Sequence, residues 1–410
     1  MSLLTDLSGV NAAQSDIDTV GNNIANVDTT GFKISDAQFA ALYGSVVPTT
    51  PGQGVTTADL AQNFSQGTIS HTGNPLDVAI NGNGFFQLQS GSGLVYSRDG
   101  AFQINTADQL VNAGGDQVLG FAPTAAGGAA TASGSLQPIQ ISQANVAPVA
   151  TSTLTMAVNL PSSDQPINTT TTAFSPTNPQ SYNESSTTTV YDSLGTPLSL
   201  TTFYTQVAGS GSPNQWQTNW ELTTQNGTQI ATGAGPTLTF NSNGTLTTGT
   251  GTVTASKLPD GAAALNIAEN FTGTTLSGLA FNVSSVADNG SAGGQLTGVQ
   301  ISSEGVVTGQ YSNGSTQVFG TIALANFVNP QGLIPMTGNV WQASAASGAP
   351  TPGAPGTGTL GQLESGALEG SNADLSTQLV NLITAQQAYQ ANVQSINIEQ
   401  QNFQRLLTIQ

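Results

Sequence analysis

The chain has 410 residues, 48 of them glycine, and only 6% are charged, against about 25% in a typical soluble domain. Its 22 acidic and four basic residues give a formal net charge of −18, with no cysteine and one histidine. Lys33, Arg98, Lys257 and Arg405 are too few and too scattered to neutralise a run of nucleic-acid phosphates or to hold an anionic membrane. Thiolate metal sites, cysteine nucleophiles and multi-histidine centres are excluded by residue type, and no cofactor is expected. An apolar content of 37% suffices for a core, and the length suggests two to four domains. The first ten residues carry neither a basic region nor a continuous apolar run, so no cleaved secretory signal is expected, and no stretch is long enough to span a membrane.

In chain order, Leu3, Val10, Ile17 and Ile24 recur every seven residues, with Leu7, Ala13, Val20 and Val27 beside them. That spacing predicts one amphipathic helix, ending near 28–31, where Asn and Thr residues precede a glycine able to take positive φ. Residues 78–121 alternate in short runs separated by Gly, Asn and Asp, which predicts a β-meander, with 81–84 as a hairpin turn. A second such block covers 299–327. Between them, 187–191, 198–207 and 216–224 read as strands of an inserted β domain, with Trp216, Trp220 and Leu222 on one face. The Gly-rich segments 125–134, 285–294 and 348–361 read as linkers.

The last segment places Leu375, Leu379, Leu382, Gln386, Tyr389, Val393, Ile396, Gln400, Phe403 and Leu407 in alternating steps of four and three, the seam of a coiled coil about 50 Å long. Ser371, Asn372 or Asp374 is the expected cap, and Gln386 and Gln400 are expected to set register. The fold class expected is therefore mainly β with α-helical termini, in which the chain travels out through nested β domains and returns to pair its ends. The division expected is a terminal helical part (1–30 with 365–410), connecting segments (31–75 with 348–364), a discontinuous β core (76–147 with 286–347) and an inserted outer β domain (148–285). Two helices alone cannot cover both apolar stripes if they also meet neighbours, so burial by self-assembly is expected.

Gly21-Asn22-Asn23-Ile24-Ala25-Asn26-Val27-Asp28-Thr29-Thr30-Gly31-Phe32-Lys33 resembles the N-terminal signature of the bacterial flagellar rod and hook protein family. Leu76-Asp77-Val78-Ala79-Ile80-Asn81-Gly82-Asn83-Gly84-Phe85-Phe86 and Tyr96-Ser97-Arg98-Asp99-Gly100-Ala101-Phe102 are similar to its β core. Leu368-Glu369-Gly370-Ser371-Asn372-Ala373-Asp374-Leu375 and Ala385-Gln386-Gln387-Ala388-Tyr389 are similar to its C-terminal helix. Val190-Tyr191-Asp192-Ser193-Leu194-Gly195-Thr196-Pro197 resembles the inserted domain of the hook members.

The resemblance implies a non-enzymatic subunit that polymerises into the curved tube joining rod to filament and transmits torque as a universal joint. It further implies export through the flagellar type III apparatus without a cleaved signal, and location in the hook. The implied partners are other copies of the chain, a distal rod protein, a hook cap protein, a hook-associated junction protein and a hook-length control protein. The interface residues expected are Leu3, Leu7, Val10, Ile17, Val20, Asn22, Asn23, Ile24 and Asn26, with Leu375, Leu379, Leu382, Tyr389, Val393, Ile396, Phe403 and Leu407. Two alternatives stay open at this point: a distal rod protein, or an extracellular carbohydrate-active or carbohydrate-binding protein suggested by the acidic, Asn- and Thr-rich β composition. His71 reads as a turn residue rather than as part of a catalytic triad.

Overall fold

The computed structural model describes residues 2–43, 52–91, 93–123, 134–207 and 214–408, with side chains through Arg405. The chain divides into two compact units. One comprises Met1–Gln143, Thr297–Gln310 and Thr316–Gln410, and the other Ala144–Leu296 with Tyr311–Ser315.

The first unit contains both long helices, α1 (Ser2–Ala25) and α2 (Leu375–Thr408), packed against each other. No proline interrupts either, and α1 ends where Asn26, Thr29 and Gly31 favour turn geometry over helix. Gly31 has φ of +67°, and a Cβ there would stand 2.7 Å from the carbonyl carbon of Arg98, so only glycine fits. Asp374 caps α2, its Oδ1 accepting from the Thr377 amide at 2.8 Å. A two-stranded hairpin, Ser35–Ala41 with Val55–Gln62, lies against α1, where the Val55 amide donates to Ser8 Oγ at 3.0 Å.

The β core of this unit is one large sheet. Along it run Leu296–Ile301, Val306–Tyr311, Thr316–Ile322, Gln117–Phe121, Phe85–Ser90, Gly93–Ser97, Val340–Gln342 and Ile334–Met336. Segments from both halves of the chain therefore interleave. Phe85, Tyr96, Phe327 and Trp341 pack edge to face in the core, joined by half-buried Phe64.

Three sequence expectations change here. Residues 81–84 do not close a hairpin, because Val78–Asn81 pairs with Gln362–Ser365 instead of with Phe85–Ser90. Gly82 and Gly84, at φ of +114° and +123°, let the chain cross close to Gly361, whose amide donates to the Asn83 carbonyl at 2.7 Å. The segment 348–361 is no free linker, since Thr351–Gly353 pairs with Leu324–Asn326. Likewise 285–288 belongs to the strand Asn282–Asp288, whereas 125–133 lies outside the described residues.

The second unit is a two-layer β structure. Glu184–Tyr191, Pro197–Gln206, Gln215–Thr224, Gln229–Phe240 and Leu246–Thr248 form one antiparallel sheet. Thr250–Ala255, Leu265–Asn270, Thr153–Pro161, Thr275–Ser277 and Asn282–Asp288 form the other. Trp216, Trp220, Leu222 and Leu238 from the first meet Leu154, Met156, Val158, Ile267 and Phe271 from the second in a single apolar core. In the second sheet, Leu265–Asn270 joins Thr153–Pro161 through only three parallel pairs, Thr153 with Ala268, Leu154 with Glu269 and Thr155 with Asn270.

Candidate assembly surface and its buried ionic junction

The two helices run antiparallel. Gly9 approaches Asn392 so closely that a Cβ would lie 2.9 Å from its side chain, and toward the other end Asn23 Nδ2 donates to Gln378 Oε1 at 3.2 Å. Small residues and amides make this contact. Ala12, Ala13, Val20 and Asn23 are buried on α1, as are Gln378 and Ala385 on α2. Val10, Ile17, Ile24 and Asn26 are half-buried on or beyond α1, as are Leu382, Tyr389, Val393 and Ile396 on α2.

Other large apolar side chains of the helices face outward. Leu3 and Leu7 are exposed on α1 and Leu375 and Leu379 on α2, while Phe403 is 64% exposed; Asn22 is exposed as well. Leu4, Val380, Ile383 and Ile398 extend the outward apolar surface, although the heptad reading did not select them. Gln386 and Gln400 are exposed; the amides of α2 that meet α1 are Gln378 and Asn392. Leu407 lies past the last described side chain. Spacing identified the apolar positions but not which of them face the partner helix, because the inward face is chosen by close approach, which favours Gly, Ala and amides over Leu.

Where α1 ends, asparagines tie the backbone. Asn23 pairs with Ser35 in both directions, donating to its carbonyl at 2.9 Å and accepting from its amide at 3.0 Å. Asn26 donates back to the Asn22 carbonyl, and Asn372 accepts from the Ile34 amide while donating to the Asn63 carbonyl. These bonds fasten the exit of α1 and the entry of α2 to the same few residues.

Beneath them is an ionic group that the sequence reading missed. Lys33 Nζ lies 2.5 Å from Glu369 Oε1, and Arg98 Nη1 lies 3.1 Å from Glu369 Oε2, with all three side chains 5% exposed or less. Lys33 also donates to the Ser65 carbonyl, Arg98 to the Gly82 carbonyl, and the Gly67 amide donates to Glu369. Burial lowers the pKa of both cations, and the Glu369 charge and hydrogen bonds oppose that shift. Two of the four basic residues in the chain are thus spent on one carboxylate. The signal was present: in so uncharged a chain, each of these three ions sits inside a family-like motif.

His71 ends the strand Ile69–His71 with its side chain 75% exposed, 3.4 Å from Glu364. No helix among the described residues is long and apolar enough to cross a membrane.

Comparison with known proteins matches four stretches of the chain. Residues 3–33 match the family described as flagella basal body rod protein, 79–161 the flagellar hook protein FlgE/F/G D1 domain, 159–291 the flagellar basal body protein FlaE D2 domain, and 364–409 the flagellar basal body rod FlgEFG protein C-terminal family. The chain is 39% identical to flagellar hook protein FlgE of Salmonella typhimurium and 40% identical to that of Escherichia coli, covering 100% of both chains in each case. It is 32% identical to the FlgE of Treponema pallidum over 96% of each chain. The crystal structure of Helicobacter pylori flagellar hook protein FlgE2 shares the fold, with a TM-score of 0.56 at 13% identity over 73% of this chain and 100% of that one. With full-length identity at this level and the terminal helices, β core and inserted domain all matched, the chain belongs to the flagellar hook protein FlgE family.

Proposed function

We propose that this chain is a structural subunit, not an enzyme, that polymerises into the flagellar hook and carries torque from rod to filament. The observation that supports this reading best is the outward placement of Leu3, Leu4, Leu7, Leu375, Leu379, Val380, Ile383, Ile398 and Phe403 on the paired terminal helices. So much exposed apolar surface on two adjacent helices is costly in water and is covered when copies pack side by side. Under this reading the interface comprises those residues together with the half-buried Val10, Ile17, Leu382, Tyr389, Val393 and Ile396, with Asn22, Asn23 and Asn26 at its inner margin. Sparse surface charge suits contacts that slide during bending, because few directional ion pairs must break. The four-part domain division, type III export, and junctions with the distal rod protein, hook cap protein, hook-associated junction protein and length-control protein belong to the same proposal.

Removal of residues 371–410 tests it. Full-length protein is expected to form tubes in electron micrographs, and the truncated protein to keep its β circular dichroism without forming them. Tubes assembled by the truncated protein would overturn the interface.

A further inference from the structure

The strand Leu265–Asn270 alternates cleanly, placing Leu265, Ile267 and position 269 toward the core and Asn266, Ala268 and Asn270 outward. The inward position next to Ile267 and Phe271 is filled by Glu269, which is 3% exposed. Neither of its carboxylate oxygens has a hydrogen-bond partner among the described residues. A buried charge without partners is strongly disfavoured, and a carboxyl so placed escapes the penalty by holding its proton or by reaching water.

Among the described residues, its surroundings offer no neutralising group. Tyr204, across the core, spends its hydroxyl on Met156 Sδ at 3.0 Å, and its own proton is held more tightly by burial and by the nearby carboxylate. The strands Thr153–Pro161, Thr250–Ala255 and Gln229–Phe240 carry no titratable side chain. Glu221 on Gln215–Thr224 belongs to the outward-facing set, and Asp288, opposite Leu154 at the sheet edge, is exposed and accepts from Thr151. Lys257 and Asp260 lie in the loop between Thr250–Ala255 and Leu265–Asn270, both exposed. Desolvation raises the Glu269 pKa to about 7.

The fold also provides a way out. The hairpin 250–270 lies at one side of its sheet, and its only strand pairing to Thr153–Pro161 is the three-residue parallel contact centred on Glu269 and Leu154. Parting that contact, with Val253, Ala255, Leu265 and Ile267 lifting out of the shared core, hydrates the carboxylate while leaving the six pairs within the hairpin intact. We propose that Glu269 is a proton-controlled latch: protonated, it lets the 250–270 hairpin stay docked in the second unit, and ionised, it drives the hairpin to open so that the charge meets water. The second unit is then stiffer in acid and looser near neutrality, a property independent of the assembly reading above.

Hydrogen exchange of the full chain, corrected for intrinsic rates, tests the latch. Amide protection across 250–270 is expected to fall more than tenfold between pH 5 and pH 7.5 and to fall further than protection in Glu184–Tyr191, while protection in the first unit changes little. In Glu269→Gln the same amides are expected to hold constant protection over that range. Equal pH profiles for wild type and variant would overturn the proposal, as would unchanged protection in wild type. Should the variant fail to fold, the carboxyl carbon resonance of Glu269 in labelled wild type decides: a midpoint near 4.5 refutes the latch, and one near neutrality with matching loss of hairpin protection supports it.

Discussion

Glu369 and Glu269 are both buried carboxylates, and the two units treat them in opposite ways. Glu369 meets Lys33, Arg98 and the Gly67 amide, so its oxygens are surrounded by donors. Glu269 sits in an apolar core with neither oxygen bonded among the described residues. The first arrangement is a fastening that tolerates no missing member, and the second is a group whose charge state sets how tightly its strand is held. Burial alone predicts neither outcome; the donors within reach decide.

The contrast is broken most severely by Glu369→Ala. Two buried cations lose their counter-ion, and a destabilisation of about 3–5 kcal/mol is expected, measured as a large drop in the denaturation midpoint of the first unit. A second unit unfolding at its usual midpoint in the same experiment would locate the damage, whereas a loss under about 1 kcal/mol would mean the junction is dispensable.

Glu269→Gln sharpens the other half. A folded pKa of about 7, above the ordinary glutamate value of 4.5, means the folded unit binds a proton that the unfolded chain has released. The associated stability is fully present below pH 4.5, declines as pH rises toward 7, and is level above that, for a total of roughly 3 kcal/mol. Wild type is therefore expected to lose stability across pH 4.5–7 and the variant to be flat, so that the variant is the more stable protein at pH 8. A wild-type curve that rises through that window would contradict the assignment.

Asn23→Ala removes two bonds to Ser35 and one to Gln378, and a loss of about 1–2 kcal/mol is expected in the first unit. The smallest effect on the folded chain is expected from Leu379→Ser with Ile383→Ser, both on the exposed face of α2. Monomer stability is expected to change by less than about 0.5 kcal/mol each, while tube formation by light scattering falls sharply. Unimpaired assembly of that double variant would remove the outward stripe from the interface.

Much of this architecture was legible from spacing. The terminal helices, the strands around Trp216 and Trp220 and the Gly31 turn follow from periodicity and turn chemistry that act locally. The route of 78–81 did not, since Asn81-Gly82-Asn83-Gly84 is an ideal hairpin signal overruled by a partner strand at 362–365, far away in sequence. Which α2 residues meet α1 was not legible from the stripe either, because small residues and amides such as Gly9, Ala385 and Asn392 sit where the helices approach most closely. Glu269 was visible as a break in the 265–271 alternation, and only the loss of every hydrogen-bond partner in three dimensions gives that break its meaning. The Lys33, Arg98 and Glu369 junction joins three distant motifs that no local pattern connects.

That junction has a kinetic consequence. Lys33 and Glu369 are 336 residues apart, and Arg98 and Glu369 are 271 apart, so their contacts carry a large loop-closure cost and come late in folding. Until Glu369 arrives, two cations must remain hydrated and the segments bearing them cannot close over the site. The second unit draws almost entirely on one continuous stretch, 144–296, and has no such wait. A chain emerging N-terminus first is therefore expected to complete its middle before its beginning, with the first 40 residues held unfinished until the last 40 are free to join them.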